Sequence, residues 1–242
     1  MEDQNYQSQN IIQLDSAESS KSFMASVFLW MFAALGISAG LAYWFAHDMT
    51  LLSYLVDFEA GQTSLLGKIA MFAPVGFVLL MSYGFQKLSY PALIGLFVTY
   101  AALTGVSLSF ILLIYTTSSI YGCFITASLL FGVMAIAGYT TNQDLTKFGS
   151  ILIMLLIGLV IATIVNWFMK SEQLEYILSF IGVALFVGLT AYDVQKLKRI
   201  SLEANELGEV QLNKLSIIGA LTLYLDFINL FLYLLRLFGR RK

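Results

Sequence analysis

Apolar stretches long enough to cross a bilayer recur along the whole chain, separated by short polar segments. A helical span needs about 20 mostly apolar residues, and seven stretches approach or exceed that length: Met24–Ala46, Ile69–Gln86, Pro91–Ile114, Ile120–Tyr139, Phe148–Met169, Tyr176–Asp193 and Leu215–Leu235. An outer-membrane barrel would instead show ten-residue segments of alternating polarity. The pattern predicts an all-α integral membrane protein built as a seven-transmembrane-helix bundle.

The polar segments outside these stretches define the domain organisation. Residues 1–23 are polar and mildly acidic, without the basic region and short apolar stretch of a secretory signal. We therefore expect a disordered polar tail over 1–23, followed by one membrane domain over 24–242. The longest connections are 47–68 and 194–214.

Composition supports this class. The chain is 59% hydrophobic and 12% charged, whereas soluble domains are roughly 45–50% apolar and 25% charged. The formal net charge of −2 and the lack of a basic stripe argue against nucleic-acid binding. The single cysteine, Cys123, excludes an internal disulfide and a paired-cysteine metal motif. We expect a lipid-embedded protein with no resident cofactor.

Charge gives little information on orientation. The 13 Lys and Arg residues divide almost evenly between the two sides of a seven-span bundle. Without the last three residues, Arg240 to Lys242, the balance favours a cytoplasmic amino terminus. A last segment that entered the membrane and returned would place both ends in the cytoplasm. We favour seven full spans with a cytoplasmic amino terminus, in a bacterial inner or plasma membrane.

Small and helix-breaking residues mark two of the spans. Gly36 and Gly40 form a GxxxG pair that permits close helix approach; we expect it to serve packing within the bundle, with a homodimer face as the alternative. Pro74 and Gly76 fall early in the second span and predict a kink, with a gating element as the alternative.

An acidic residue stands where an ionised group is costly. Asp226 lies near the middle of the apolar segment Leu215–Leu235, and Asp193 closes the preceding segment. A charge at the bilayer centre costs about 2.5–3.5 kcal/mol on insertion scales, so such residues face a packed interior, a water-filled path or a partner. These two acids are the leading candidates for function.

The last span carries a polar face around its acid. Gly219, Thr222, Asp226, Asn229 and Tyr233 follow a spacing of three and four residues, which places them on one side of a helix. The remaining sides are Leu, Ile and Phe, so the helix can be surrounded by others. In the preceding span, Thr190 and Asp193 are three apart and share a face.

If the two carboxylates meet, their repulsion dominates the site. Two unit charges about 4 Å apart repel by roughly 4 kcal/mol at an effective dielectric constant near 20. The pair would then share one proton and titrate as a unit, switching between a closed proton-sharing state and an open doubly charged state. Carboxylate oxygens suit Ca²⁺, but two acids supply too few ligands for a tight site. We expect weak, transient calcium binding at Asp193 and Asp226.

Other interpretations of the acids stay open. Asp193 could be a solvated acid at a helix end, and Asp226 a structural residue satisfied by neighbouring hydroxyls. A Ser–His hydrolase is excluded because the single histidine, His47, begins a loop at the membrane surface. Tyr192-Asp193 resembles the Tyr-Asp of presenilin-like proteases, but the Gly-x-Gly-Asp and Pro-Ala-Leu motifs of those enzymes are absent. No enzymatic activity is expected.

Three segments resemble the transmembrane Bax inhibitor motif family, in its bacterial form. They are Tyr100–Ser109 in the third span, Thr190–Asp193 in the sixth, and Leu223–Phe231 with Leu234–Arg236 in the last. The resemblance implies a seven-helix bundle with a central last helix and a pH-sensitive calcium leak, gated by a paired-aspartate sensor. Here that sensor would be Asp193 and Asp226, with Thr190, Thr222, Asn229 and Tyr233 as the supporting polar face.

The chain departs from the family pattern at two places. Phe110 stands where many relatives have a proline, and residues 69–86 lack the arginine that holds the acid pair closed in some relatives. The leading hypothesis is a pH-gated calcium leak that binds protons and calcium. The alternative is a non-conducting membrane regulator that binds another membrane protein, such as a quality-control protease.

Overall fold

The computed structural model describes residues 2–57, 61–85, 87–203 and 208–242, with side chains from residue 18 onward and without that of residue 203. Eight α-helices occur in this part of the chain: α1 (Glu2–His47), α2 (Met49–Leu55), α3 (Leu65–Gly84), α4 (Tyr90–Ile114), α5 (Thr117–Thr140), α6 (Gly149–Met169), α7 (Glu172–Glu203) and α8 (Glu209–Phe238). All but α2 are long and apolar enough to cross a membrane. The predicted all-α seven-span architecture is confirmed.

The first helix begins within the segment that the sequence assigns to a disordered tail. Helix α1 starts at Glu2, and its apolar span starts at Glu18. Ser20 and Phe23 are buried, and the Ser20 hydroxyl lies 2.5 Å from that of Ser201 on α7. One face of the helix just before Met24, carrying Ser20 and Phe23, is therefore packed into the bundle as a continuation of the first span.

Helix α7 continues well beyond the predicted end at Asp193, as far as Glu203. The sequence after Asp193 is amphipathic: Val194, Leu197 and Ser201 are buried at helical spacing, while Lys196 is exposed. A hydropathy criterion ends the span where charges begin, although one face of the helix stays apolar. Asp193 is therefore inside a helix, and its interpretation as a helix-end acid is wrong.

The first long connection contains structure that its polarity did not predict. Helix α2 is capped by Asp48, whose carboxylate accepts from the amides of Thr50 at 2.9 Å and Leu51 at 3.2 Å. Strands β1 (Val56–Asp57) and β2 (Gln62–Thr63) then pair antiparallel before α3 begins.

The last helix lies at the centre of the bundle. Helix α8 packs against α1, α4, α5 and α7, whereas α3 packs mainly on α4 and α6 mainly on α7. Burial is correspondingly greatest in α8. Of the 18 most apolar consecutive residues in each span, 61% are buried in α8, against 17% in α3 and 11% in α6. The central helix therefore meets protein on most sides and can carry polar groups that a lipid-facing helix could not.

The GxxxG pair does not serve packing within the bundle, contrary to the expectation. A Cβ atom added at Gly36 or Gly40 would meet no atom within 4 Å, so both glycines face open space on α1.

Pro74 lies inside α3, which continues through it to Gly84.

Candidate functional site

The centre of α8 presents one acid to the interior. Asp226 is 4% exposed and lies among buried apolar residues, including Phe227 and Leu223. Its position follows from the fold, because α8 is enclosed by four helices and the face carrying Asp226 is turned toward α7. The carboxyl group is thus kept away from lipid by protein.

The second acid comes from the neighbouring helix. Asp193 is partly buried on α7, and α7 and α8 are consecutive helices that pack along much of their length. The side chains of Asp193 and Asp226 lie within hydrogen-bonding contact. The structure therefore brings together the two residues that the sequence singles out.

The contact requires a proton. Ionised carboxylates only accept hydrogen bonds, and with both acids ionised Oδ2 of Asp226 has no donor among the described residues. A hydrogen bond between the two forms once one carboxyl group carries a proton. No described hydroxyl or amide satisfies this oxygen, so it does not behave as an ordinary structural acceptor.

A close approach of two helices fixes the position of α7 near the acids. A Cβ atom at Gly138 on α5 would overlap the backbone of Ala191, which lies two residues before Asp193. Only glycine allows α5 and α7 to meet at this distance. The backbone that carries Asp193 is therefore held on its outer side.

Beyond Asp193, polar side chains of α7 bind the connection between α5 and α6. Gln195 accepts from the Leu145 amide at 2.8 Å and donates to the Gln143 carbonyl at 2.7 Å. Lys198 Nζ donates to the carbonyl of Tyr139 at 2.8 Å, and Arg199 lies 2.8 Å from the carboxylate of Asp144. This set of contacts, which we call the α7 clasp, ties the end of α5 and the start of α6 to the helix that carries Asp193.

The acid in the clasp is exposed and fully partnered. Asp144 accepts from the Thr146 hydroxyl at 2.6 Å and from its amide at 3.0 Å. The Thr146 hydroxyl, followed by its amide and Arg199, holds the pKa of Asp144 below its usual range.

The predicted supporting residues contact their own helices rather than the acids. The Thr222 hydroxyl donates to the Ile218 carbonyl at 3.1 Å, and the Asn229 amide donates to the Leu225 carbonyl at 2.8 Å. The buried Thr190 hydroxyl likewise donates to a carbonyl one turn back on α7, at 2.7 Å. A shared helix face therefore does not by itself predict a hydrogen bond to the acid.

Tyr233, the last of that set, has an aromatic role. Its ring stacks on that of Phe186 at 5.8 Å between centroids, and the guanidinium of Arg236 lies 5.4 Å from the ring centre. It fastens α8 to α7 near the far end of the bundle from the clasp.

A positive charge close to the acids comes from α7 itself. Lys196 lies one turn after Asp193 and acts electrostatically on it, while its Nζ sits 5.8 Å from the centre of the Tyr192 ring. It is exposed, so its charge is largely solvated. Helix α3 has no basic residue over 69–84, and its one lysine, Lys68, is exposed in its first turn.

A second buried polar cluster lies on the other side of α8. The Ser38 hydroxyl on α1 lies 2.7 Å from the Tyr224 hydroxyl and 2.7 Å from the carbonyl of Ala101 on α4. The rings of Tyr100 and Tyr224 meet edge to face at 5.5 Å. The Thr104 hydroxyl donates to the Tyr100 carbonyl at 2.9 Å and lies within hydrogen-bonding contact of the Tyr100 and Tyr224 hydroxyls. We call Ser38, Tyr100, Thr104 and Tyr224 the hydroxyl network.

The sequence analysis assigned no role to Ser38 or Tyr224. A detectable signal was present: Tyr100 and Thr104 are four apart on α4, and Tyr224 lies two residues before Asp226. Each places a hydroxyl inside a membrane span. That signal indicates a buried partner without identifying it.

The acid pair offers few ligands for a stably bound metal. In the described parts of the chain no third Asp, Glu, His or Cys joins the pair to form a cluster of metal-ligating side chains. Tight calcium sites use six to eight oxygens. The arrangement can exchange a proton and attract a cation without holding it firmly.

Comparison with known proteins agrees with this architecture. The family model described as "Inhibitor of apoptosis-promoting Bax1" matches residues 20–242. The inner membrane protein YbhL of Escherichia coli is 44% identical over 92% of this chain and 93% of its own length. Protein RP147 of Rickettsia prowazekii is 47% identical over 78% of both chains, and a Borreliella burgdorferi protein is 42% identical over 91% and 92%. This multi-pass membrane protein belongs to the Bax inhibitor family.

Proposed function

We propose that this protein is a pH-sensitive calcium leak in which Asp193 and Asp226 form the sensor. The observation that carries the proposal is the contact between two carboxyl groups in the bundle interior, one of which has an oxygen without a donor. A stable structural role would satisfy that oxygen. A switch needs it to gain and lose a partner.

The expected mechanism follows from electrostatics. With one proton on the pair, a hydrogen bond joins α7 to α8 and the bundle stays closed. When that proton leaves, two like charges repel in a medium of low dielectric constant, and the separation of α7 from α8 opens a path. The doubly charged pair then attracts a divalent cation. Flux should therefore rise as pH rises through the titration of the pair.

The same proposal includes orientation. The α7 clasp, with its basic residues Lys198 and Arg199, and the nearby Lys196 lie on the side of the amino terminus. Lys and Arg in short connections favour the cytoplasm. We take that side, and hence the amino terminus, as cytoplasmic in an inner membrane.

The test is calcium flux into liposomes containing the purified full-length protein, measured across a pH series. Wild-type protein should show flux that depends on pH. Asp193→Asn and Asp226→Asn should each remove that dependence, because an amide neither loses a proton nor repels its neighbour. Glu172→Gln is the matched control, since it removes an exposed acid from the first turn of the same α7 helix and should leave the profile unchanged.

Two results would contradict the proposal. Calcium flux that does not change with pH in the wild-type protein would show that the protein has no pH sensor. An unchanged pH profile of flux in both Asn variants would show that Asp193 and Asp226 are not the sensor. Absence of any wild-type flux would favour a non-conducting regulator that acts on another membrane protein.

A further inference from the structure

A groove runs between α1 and α5 on the outer side of α8. Its part nearer the middle of the bundle has a volume of about 530 Å³ and is lined by Gly36 and Ala39 on α1, Ser128 and Gly132 on α5, and Phe227 on α8. The glycines on both walls are open, since a Cβ atom at Gly36 or Gly132 would meet nothing within 4 Å. Between the two helices, the ring of Phe227 on α8 forms the base of the groove.

The groove continues into a second cavity toward the far membrane surface. This cavity has a volume of about 340 Å³ and shares Leu35, Ala39, Phe124 and Phe227 with the first. Along α1 the combined groove extends from Phe28 to His47, which is roughly 28 Å at 1.5 Å per residue. An extended acyl chain fits within that length.

The outer end of the groove is polar and carries the ammonium group of Lys242. This end, the mouth of the groove, is lined by His47, Tyr43, Thr117 and Lys242. The Lys242 ammonium donates one hydrogen bond, to the Leu112 carbonyl at 2.8 Å, and an ammonium has three donors. Its remaining donors are available to an anionic group at the mouth.

The cation at the mouth is held there by backbone hydrogen bonds. The Thr116 amide donates to the Arg240 carbonyl at 2.9 Å, and the Lys242 amide donates to the Ile114 carbonyl at 2.8 Å. The Arg240 amide also donates to the Ser119 hydroxyl at 3.0 Å. The segment after α8 is thereby fixed against the α4–α5 connection, so the charge of Lys242 is a fixed part of the groove.

We propose that this groove binds an anionic phospholipid, with one acyl chain between α1 and α5 and the phosphate at Lys242 and His47. The apolar walls match the chain, and the fixed cation at the surface end matches the headgroup. The occupant comes from the surrounding bilayer, because the groove opens between two lipid-facing helices. The site is distinct from the acid pair and does not depend on calcium conduction.

Phe227 makes the proposal testable. It is 3% exposed and forms the floor of the groove, so a lipid in the surrounding annulus does not reach it. Exposed positions on α6, such as Ile157, contact annular lipid in any case. Labelling of Phe227 therefore distinguishes a bound chain from general lipid contact.

The experiment uses the full-length protein in nanodiscs containing a phosphatidylglycerol probe with a photoreactive acyl chain, and parallel discs with the phosphatidylcholine equivalent. Cross-linked residues are mapped by mass spectrometry. We expect labelling of Phe227 by the phosphatidylglycerol probe, at about five times the phosphatidylcholine level, since one cation near an anionic headgroup contributes about that factor. Labelling confined to residues like Ile157, or equal labelling of Phe227 by both probes, would overturn the proposal.

Variants with matched controls separate the chain from the headgroup. Gly36→Leu fills the groove and should reduce Phe227 labelling at least fivefold, whereas Gly158→Leu on the exposed face of α6, where a Cβ also meets nothing within 4 Å, should not. Lys242→Gln should remove the preference for phosphatidylglycerol, and Lys68→Gln, an exposed lysine in the first turn of α3, should keep it. Unchanged labelling in Gly36→Leu or an unchanged preference in Lys242→Gln would contradict the site. Neither result bears on pH-dependent flux, so the two proposals fail separately.

Discussion

Buried polar groups on the two sides of α8 differ in how completely their hydrogen bonds are satisfied. Toward α1 and α4, the Tyr224 hydroxyl lies in a network of neutral hydroxyls and carbonyls whose members have partners. Toward α7, Asp226 meets another acid and keeps an oxygen without a donor. Satisfied networks fix one packing arrangement, whereas a buried acid without a counter-charge lowers stability. Under the proposed function, the face toward α1 and α4 serves packing and the face toward α7 serves as the switch.

The largest expected effect separates these faces by function. Asp226→Asn should abolish the pH dependence of calcium flux, while Tyr224→Phe should retain it, because phenylalanine keeps the ring packing and leaves the acids untouched. Flux across a pH series in liposomes measures both. Loss of pH dependence in Tyr224→Phe would show that the hydroxyl network belongs to the switch.

The second prediction concerns the helix that carries Asp193. Gly138→Leu forces α5 away from the Ala191 backbone and should destabilise the protein by about 1–3 kcal/mol, in the range of overpacked cores. Gly122→Leu lies on the same helix where a Cβ meets nothing within 4 Å and is the control. Thermal unfolding in detergent compares the two, and equal melting temperatures would contradict the close approach.

The free energy of unfolding should also change differently for substitutions on the two sides of α8. Tyr224→Phe removes the hydrogen bond to Ser38 and should cost about 1 kcal/mol. Asp226→Leu should be neutral or stabilising, because an apolar residue of similar size removes a buried acid that lacks a full set of partners. Chemical denaturation of the two variants beside the wild type measures the sign, and strong destabilisation by Asp226→Leu would indicate a structural role for the acid.

The smallest expected effect is on the pKa of Asp144, an exposed acid that serves as a reference for the buried pair. Thr146→Val should raise the pKa of Asp144, because the Thr146 hydroxyl is the main group that lowers it. Since the folded-state pKa is lowered, the associated stability is present above the unfolded pKa and is lost as pH falls through the folded value. NMR titration of labelled aspartate measures the shift. Thr140→Val, whose hydroxyl bonds only to its own helix at Ile136, should leave it unchanged.

Hydropathy predicted the spans because apolar length is a local property of the chain. It failed at the end of α7, where one face stays buried after charges begin, and in the first connection, where short-range capping by Asp48 forms α2. The two acids could be identified because each stands out within an apolar run. The hydrogen-bond partners of buried polar side chains could not be identified from the sequence. The Ser38–Tyr224 pair joins residues 186 positions apart, and the Thr222 and Asn229 side chains donate to carbonyls of their own helix.

The enclosure of α8 also has a consequence for biosynthesis. Four of the spans that precede it, α1, α4, α5 and α7, pack against it, so they lack a contact at the centre of the bundle until α8 enters. A segment with Asp226 near its middle inserts poorly into lipid alone, but these four helices offer it protein surface on several sides. Entry of the last helix is thus the step that completes the bundle.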